Sequence, residues 1–315
     1  MSSPSSTKIA IVGAGNVGTT TAYALLLSGL AAEIVLIDKN RKKVEGEVMD
    51  LNHSVPLTHP TRIYAGEISD CDGAVVTVLA AGAGQKPGES RLDLLKKNNE
   101  IFKAIVPEIA SCNPAGILLI ATNPVDILTY SSWKRSGLPP ERVIGSGTIL
   151  DTARFRHLLS RHFGVEARSV HAFIIGEHGD SEVPVWSRAN IAGMTLKHFA
   201  KAEGIPLDQT VMDNIFEDTR TAAYKIIEGK GATFYAVAVG LLRIIEAILR
   251  DQRTVLSVSS LISGYYGIED VCFSLPTIID RSGINKVLSL NLDEAELAAL
   301  RRSAQLLKAN AGKLE

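Results

Sequence analysis

The chain reads as an α/β protein: a doubly wound parallel sheet over residues 1–145, followed by a mixed α+β region over residues 146–315. Three observations predict this. First, residues 9–12, 34–37, 74–79 and 117–121 are short runs that are apolar at every position but Thr77, as expected of strands when helices cover both sheet faces. Second, residues 19–28 and 98–111 between them have helical length and composition, which makes β-α-β units with right-handed crossovers. Third, the pattern changes after about Gly145. Strand-like runs occur at 169–175 and 255–274, with turn candidates at 264–267 and 267–270, beside long helices at 208–228 and 293–310.

A chain of 315 residues is long enough for two domains with real cores. No repeat or low-complexity linker separates the halves, so they are expected to share a broad interface with the active site in the crevice between them. Hydrophobic residues at 46% and charged residues at 21% exclude a disordered or fibrous chain. A net charge of -1 supplies no field for a nucleic-acid backbone or an anionic membrane, and neither is an expected partner. The three cysteines, Cys71, Cys112 and Cys272, have no C-x-x-C spacing, which argues against a disulfide framework or zinc and fits a reducing cytoplasm. His53, His59, His157, His162 and His198 form no ligand cluster, so no metal is expected. Residues 1–6 lack the regions of a signal peptide and are expected to be a loose tail, and later apolar runs are too short to span a bilayer.

Gly13-Ala14-Gly15-Asn16-Val17-Gly18 follows a predicted strand and opens a predicted helix, and Asp38 ends the next strand. In this setting each glycine has a task. Gly13 permits a tight turn, Gly15 lets backbone approach a pyrophosphate, and Gly18 allows helix and strand to pack closely. The pyrophosphate would meet unpaired amides at the helix N-terminus, near Asn16 and Val17. Asp38 would bind ribose hydroxyls and repel the extra phosphate of NADP, so the expected cofactor is NAD, on a Rossmann-type fold.

The reacting end follows from strand ends, where open α/β sheets bind ligands. Residues 79–93 leave one such end, and their glycines and Pro87 suit a mobile lid. Ser90 and Asp93 have capping-box spacing, so Arg91 would start the next helix. Asn123 leaves the following strand. If residues 150–159 are helical, Asp151 and Arg154 share a face, being three apart. His178 sits between glycines in Gly176-Glu177-His178-Gly179. One imidazole, one carboxylate and one guanidinium supply a proton carrier, an anion to tune it and a cation to hold a carboxylate. Histidine titrates near neutrality, an adjacent acid raises its pKa, and arginine matches a carboxylate with two parallel bonds.

Taken in order, residues 13–18, 85–91, 123–126, 150–156 and 176–181 resemble the lactate and malate dehydrogenase family, over nearly the whole chain. The resemblance implies that His178 is the proton donor and acceptor, Asp151 its partner, Arg154 the clamp on the substrate carboxylate and Arg91 the lid cation that polarises the carbonyl. It further implies that Asn123 contacts the reacting oxygen and the cofactor and that Thr233 lies beside the substrate. Ala81, Gly82 and Val237 would meet the cofactor, Val237 near the nicotinamide ring. Within the family, a neutral Gln85 favours pyruvate, because oxaloacetate brings a second carboxylate that a dry pocket would have to neutralise, and the malate branch places arginine there. Glu177 also resembles the lactate branch. The implied activity is interconversion of pyruvate and L-lactate with NAD; the alternative is a malate or other 2-hydroxy acid dehydrogenase. Arg156 and His171 resemble positions through which bacterial members bind fructose 1,6-bisphosphate between subunits, and a homotetramer is implied likewise.

Overall fold

A computed structural model describes residues 7–84 and 91–312, except the side chains of Arg91 and Leu92. The expected tail, the lid candidates Gln85 to Ser90 and the Arg91 side chain therefore lie outside the described residues. In chain order the strands are β1 (Lys8–Val12), β2 (Glu33–Ile37), β3 (Arg62–Ala65), β4 (Val76–Leu79), β5 (Ile117–Ile120) and β6 (Val143–Gly145). Five two-residue strands follow: β7 (Val170–His171), β8 (Ile174–Ile175), β9 (Val183–Pro184), β10 (Asn190–Ile191) and β11 (Met194–Thr195). The last three are β12 (Thr254–Ile262), β13 (Val271–Asp280) and β14 (Gly283–Val287). The helices are α1 (Asn16–Ser28), α2 (Arg41–Ser54), α3 (Arg91–Cys112), α4 (Val125–Ser136), α5 (Ile149–Phe163), α6 (Leu196–Glu203), α7 (Gln209–Lys230), α8 (Tyr235–Leu249) and α9 (Glu294–Ala311).

The first six strands pair in parallel in the order 3-2-1-4-5-6. The strand order reverses between β1 and β4, and ligands of such sheets bind outside the carboxyl ends at that point. The apolar runs form strands because both faces are covered. Ala10, Val12 and Leu79 face one core with Phe102 of α3, whereas Ile9, Ile11 and Val78 face another with Leu25 of α1 and Ile244 of α8. Fully burying each of these side chains other than Ala10 contributes about 1.5–3 kcal/mol.

The two long helices of the second half start where the sequence places them, on N-caps Asp208 and Asp293, which accept hydrogen bonds from the Val211 and Glu296 amides. Both run about one turn or less beyond the predicted ends. The run at 255–274 is two antiparallel strands, β12 and β13, separated at 263–270, where the sequence places its turn candidates. These strands, with β14, extend the parallel sheet, because Ser259 of β12 pairs with Gly145 of β6. Sequence reasoning passed over α8. It packs against α1, β13 and α5, and its buried Ala238, Leu241, Ile244, Ile245 and Ile248 recur at helical spacing, a signal that was present in the sequence.

Candidate active site

The nucleotide end is built by close approach. Gly13 has φ of +110°, and a Cβ there would lie 2.4 Å from the Ala81 nitrogen. A Cβ on Gly18 would lie 1.9 Å from the Gly13 carbonyl oxygen, so only glycine lets α1 rise directly from β1. Gly15 is different: a Cβ would meet nothing within 4 Å, because its open side borders a cavity. No side chain caps the first turn of α1, which leaves backbone donors for an anion. Asp38 accepts the Ala14 amide at 2.8 Å and the Asn40 amide at 2.9 Å. It therefore braces the glycine turn as well as presenting an acid at the end of β2. A bare turn, an uncapped helix start and a carboxylate beyond it fit a dinucleotide.

Across the cavity, α5 starts after Thr148 and carries Asp151 in its first turn and Arg154 one turn later. His178 follows β8 in the chain, 27 residues after Asp151. Its Nδ1 lies 2.5 Å from Asp151 Oδ2, and Arg154 Nη1 donates to Asp151 Oδ1 at 2.9 Å. The sequence reading assigned Asp151 to His178 alone; its second oxygen also holds Arg154. With Nδ1 turned to the carboxylate, Nε2 is the imidazole nitrogen left for chemistry. The His178 side chain is 23% exposed and that of Asp151 only 3%.

Electrostatics follow from this burial. Desolvation works to lower the His178 pKa, but the Asp151 charge and hydrogen bond outweigh it and hold the imidazole up at about 9. Burial likewise opposes ionisation of Asp151, yet His178 and then Arg154 pull its pKa below the usual carboxylate value. Two further acids stand close by. Burial pushes Asp126 up to about 6, and its Oδ2 accepts the His178 backbone N–H at 2.7 Å. Burial, and then the Asp151 charge, push the Glu182 pKa well above the usual carboxylate range. Neither Asp126 nor Glu182 was singled out from the sequence, since an acid in a turn or first helical turn has no local mark of burial.

One cavity of about 400 Å³ is lined by Gly15, Asn16, Val17 and Gly82 on one side and by Asn123, Arg154, His178, Thr233 and Val237 on the other. Gly13, Gly18, Asp38, Ala81 and Asp151 are not among its lining residues. The Ala81 carbonyl instead accepts the Thr122 hydroxyl at 2.8 Å. Arg156 turns away from Arg154: its Nε donates to the Ala172 carbonyl at 2.8 Å and its guanidinium stands 5.2 Å from the Phe173 ring centre. His171 is exposed on β7, opposite Asn190 of β10.

The profile of the lactate/malate dehydrogenase NAD binding domain matches residues 7–145, and that of the lactate/malate dehydrogenase alpha/beta C-terminal domain matches residues 148–315. An L-lactate dehydrogenase of Acetivibrio thermocellus is 54% identical over 301 residues, covering 96% of this chain and 95% of that protein. A probable L-lactate dehydrogenase of Schizosaccharomyces pombe is 53% identical over 307 residues, covering 98% and 93%. Among solved structures, a minor L-lactate dehydrogenase from Enterococcus mundtii in a ligands-bound form superposes with a TM-score of 0.96 at 40% identity, covering 99% of each chain.

Proposed function

The chain belongs to the lactate/malate dehydrogenase family, and from that premise we infer that it interconverts pyruvate and L-lactate with NAD as cofactor. The observation that carries this reading is the contact of His178 with Asp151 at 2.5 Å, beside Arg154, on the wall of the cavity that Gly15 borders. When bound, NADH supplies the hydride that reaches the carbonyl carbon. His178 gives its Nε2 proton to the carbonyl oxygen, and Asp151 stabilises the imidazolium until that transfer. Arg154 holds the substrate carboxylate with the donors that Asp151 does not use. Asn123 orients the reacting oxygen, Thr233 borders the substrate, and Val237 packs on the nicotinamide side. Arg91, whose side chain lies outside the described residues, would polarise the carbonyl. On the cofactor side we assign Gly13, Gly15, Asn16, Val17, Gly18, Asp38, Ala81 and Gly82. Residues 1–145 then hold the cofactor and residues 146–315 supply the acid–base pair and the carboxylate clamp. Oxidation of NADH on addition of pyruvate tests the reading; absence of turnover would overturn it.

Specificity rests on Gln85, outside the described residues. Pyruvate is expected to be reduced faster than oxaloacetate, and Gln85→Arg to shift that preference toward oxaloacetate by about a hundredfold, since a buried carboxylate must find a partner. Steady-state kinetics on both keto acids checks this; an unchanged ratio would move the determinant elsewhere.

The pH dependence has a defined sign. Pyruvate reduction needs protonated His178, so its kcat/KM should fall as pH rises through about 9, and lactate oxidation should rise over the same range. Asp151→Asn removes the anion that holds the proton and should move the alkaline limb down by about one to three pH units. A limb that stays in place would assign it to another group. Stability follows the same proton: the contribution of His178 is complete below about pH 6.5 and is lost as pH rises through about 9.

Arg156 and His171 support a second anion site for fructose 1,6-bisphosphate in a homotetramer, since guanidinium and protonated imidazole pair with phosphate. Arg156 already holds Ala172, so its remaining donors would serve. Sugar bisphosphate should tighten pyruvate binding and assembly, and an absence of both effects retires the site. No helix of the described residues is long and apolar enough to cross a membrane, and with unpaired cysteines a cytoplasmic enzyme is the reading we favour.

A further inference from the structure

One buried side chain that borders the cavity has no part in the mechanism above. Asn98 of α3 is 1% exposed and borders the cavity between its two walls. Its Oδ1 accepts the Ala83 N–H at 2.8 Å, and its Nδ2 donates to the Asn123 carbonyl at 2.8 Å. Those two backbone groups belong to the segments that leave β4 and β5, which are neighbours in the sheet. The amide has only one workable orientation. Reversed, its NH2 would face the Ala83 N–H and its oxygen would face the Asn123 carbonyl, losing both bonds. The surroundings are tight: a Cβ on Gly82 would stand 3.2 Å from Asn98 Oδ1 and 2.6 Å from Thr122 Cγ2. The next residue, Asn99, is 3% exposed and accepts from the Ser131 hydroxyl at 2.9 Å and from Arg135 at 3.2 Å, which ties α3 to α4. Asn98 is thus presented from an anchored helix.

We propose that Asn98 is a positioning residue for hydride transfer: one amide holds the cofactor-side turn at Ala83 in register with the substrate-side backbone at Asn123. The proposal rests on the reading of the site as a pyruvate reductase. Its physical basis is the steep dependence of such reactions on the placement of the two reactants, where about 1 Å of error costs about a hundredfold in rate. The two bonds can be separated by substitution. Asn98→Leu is similar in size and removes both. Asn98→Asp keeps an acceptor for Ala83, but at neutral pH sets a carboxylate oxygen against the Asn123 carbonyl; when protonated at lower pH it can donate again.

The test uses full-length wild type, N98D and N98L, with four measurements: NADH affinity by fluorescence, kcat and KM for pyruvate across pH, amide exchange at Ala83, and the thermal midpoint. For N98L, kcat/KM is expected to fall about a hundredfold, with faster exchange at Ala83 and weaker NADH binding. For N98D, NADH affinity should stay within about threefold of wild type and Ala83 should remain protected, while kcat/KM falls about tenfold or more near neutrality. The ratio of N98D to wild type should then recover several-fold as pH falls toward about 5. A ratio that is flat with pH overturns the proposal, as do kinetic constants per folded molecule within twofold of wild type in both variants. Wild type that binds NADH without reducing pyruvate would instead sink the functional reading, and the NADH affinity and Ala83 exchange of the variants would still judge Asn98.

Discussion

Replacing His178 with glutamine is expected to lower kcat for pyruvate reduction by about a thousandfold, within the range that a positioned general acid contributes. Glutamine can occupy the space and donate a hydrogen bond, but it carries no proton that it can release at neutral pH. The alkoxide formed by hydride arrival would then have to draw its proton from water. NADH affinity should stay within a few-fold, because the residues assigned above to the cofactor, Gly15, Asn16, Val17 and Gly82 among them, do not include the imidazole. Asp151 would lose the partner now 2.5 Å away but keep Arg154 at 2.9 Å, so its carboxylate is not left wholly unpaired. Adding Asp151→Asn to this variant should cost little more, because the acid acts through the imidazole it no longer has. Single-turnover measurements with saturating NADH check both statements. Residual activity within tenfold of wild type would mean that another group delivers the proton.

Arg154→Lys is expected to reduce kcat/KM for pyruvate by about a hundredfold to a thousandfold, mostly through a higher KM. Breaking a buried charged pair costs about 3–5 kcal/mol, and an ammonium returns part of this as a single point contact. The guanidinium has two tasks that a lysine cannot perform together. Nη1 is committed to Asp151, and in the proposed role the remaining donors would meet the substrate carboxylate in a planar array. Lysine must choose one of them. If it keeps the Asp151 contact, the carboxylate clamp is lost; if it takes the substrate, Asp151 loses a cation that helps keep its pKa low. The second case would appear as a displaced pH profile and the first as a raised KM with an unmoved one. An unchanged KM and profile would remove Arg154 from the substrate site.

The nucleotide end was legible in the sequence because its chemistry is local. Gly13, Gly15 and Gly18 lie close together between a strand and a helix, with Asp38 after the next strand, and that local setting calls for backbone approach on one side and close packing on the other. That Asp151 and Arg154 share a helix face was legible for the same reason, as they lie three residues apart, whereas the bond between them appeared only in the structure. Asp126 and Asn98 were not legible. Asp126 is 1% exposed and holds the His178 backbone from 52 residues away in sequence, and no window around it marks that partner. Asn98 sits in a stretch that reads as ordinary helix, although an adjacent pair of asparagines is a poor choice for helix formation and was a signal available to be weighed.

What the sequence determined by itself is therefore periodic or contiguous: buried strands from unbroken apolar runs, helix starts from Asp208 and Asp293, and a dinucleotide turn from three glycines. Tertiary structure decided which distant groups meet. It laid β12 against β6 and so joined both halves in one sheet, turned Arg154 toward the cavity and Arg156 toward Ala172, and brought His178 onto Asp151. The division has a physical cause. Helix and strand periods are written into neighbouring side chains, whereas burial and charge pairing depend on how separate elements pack, and a protonation state follows only from that packing.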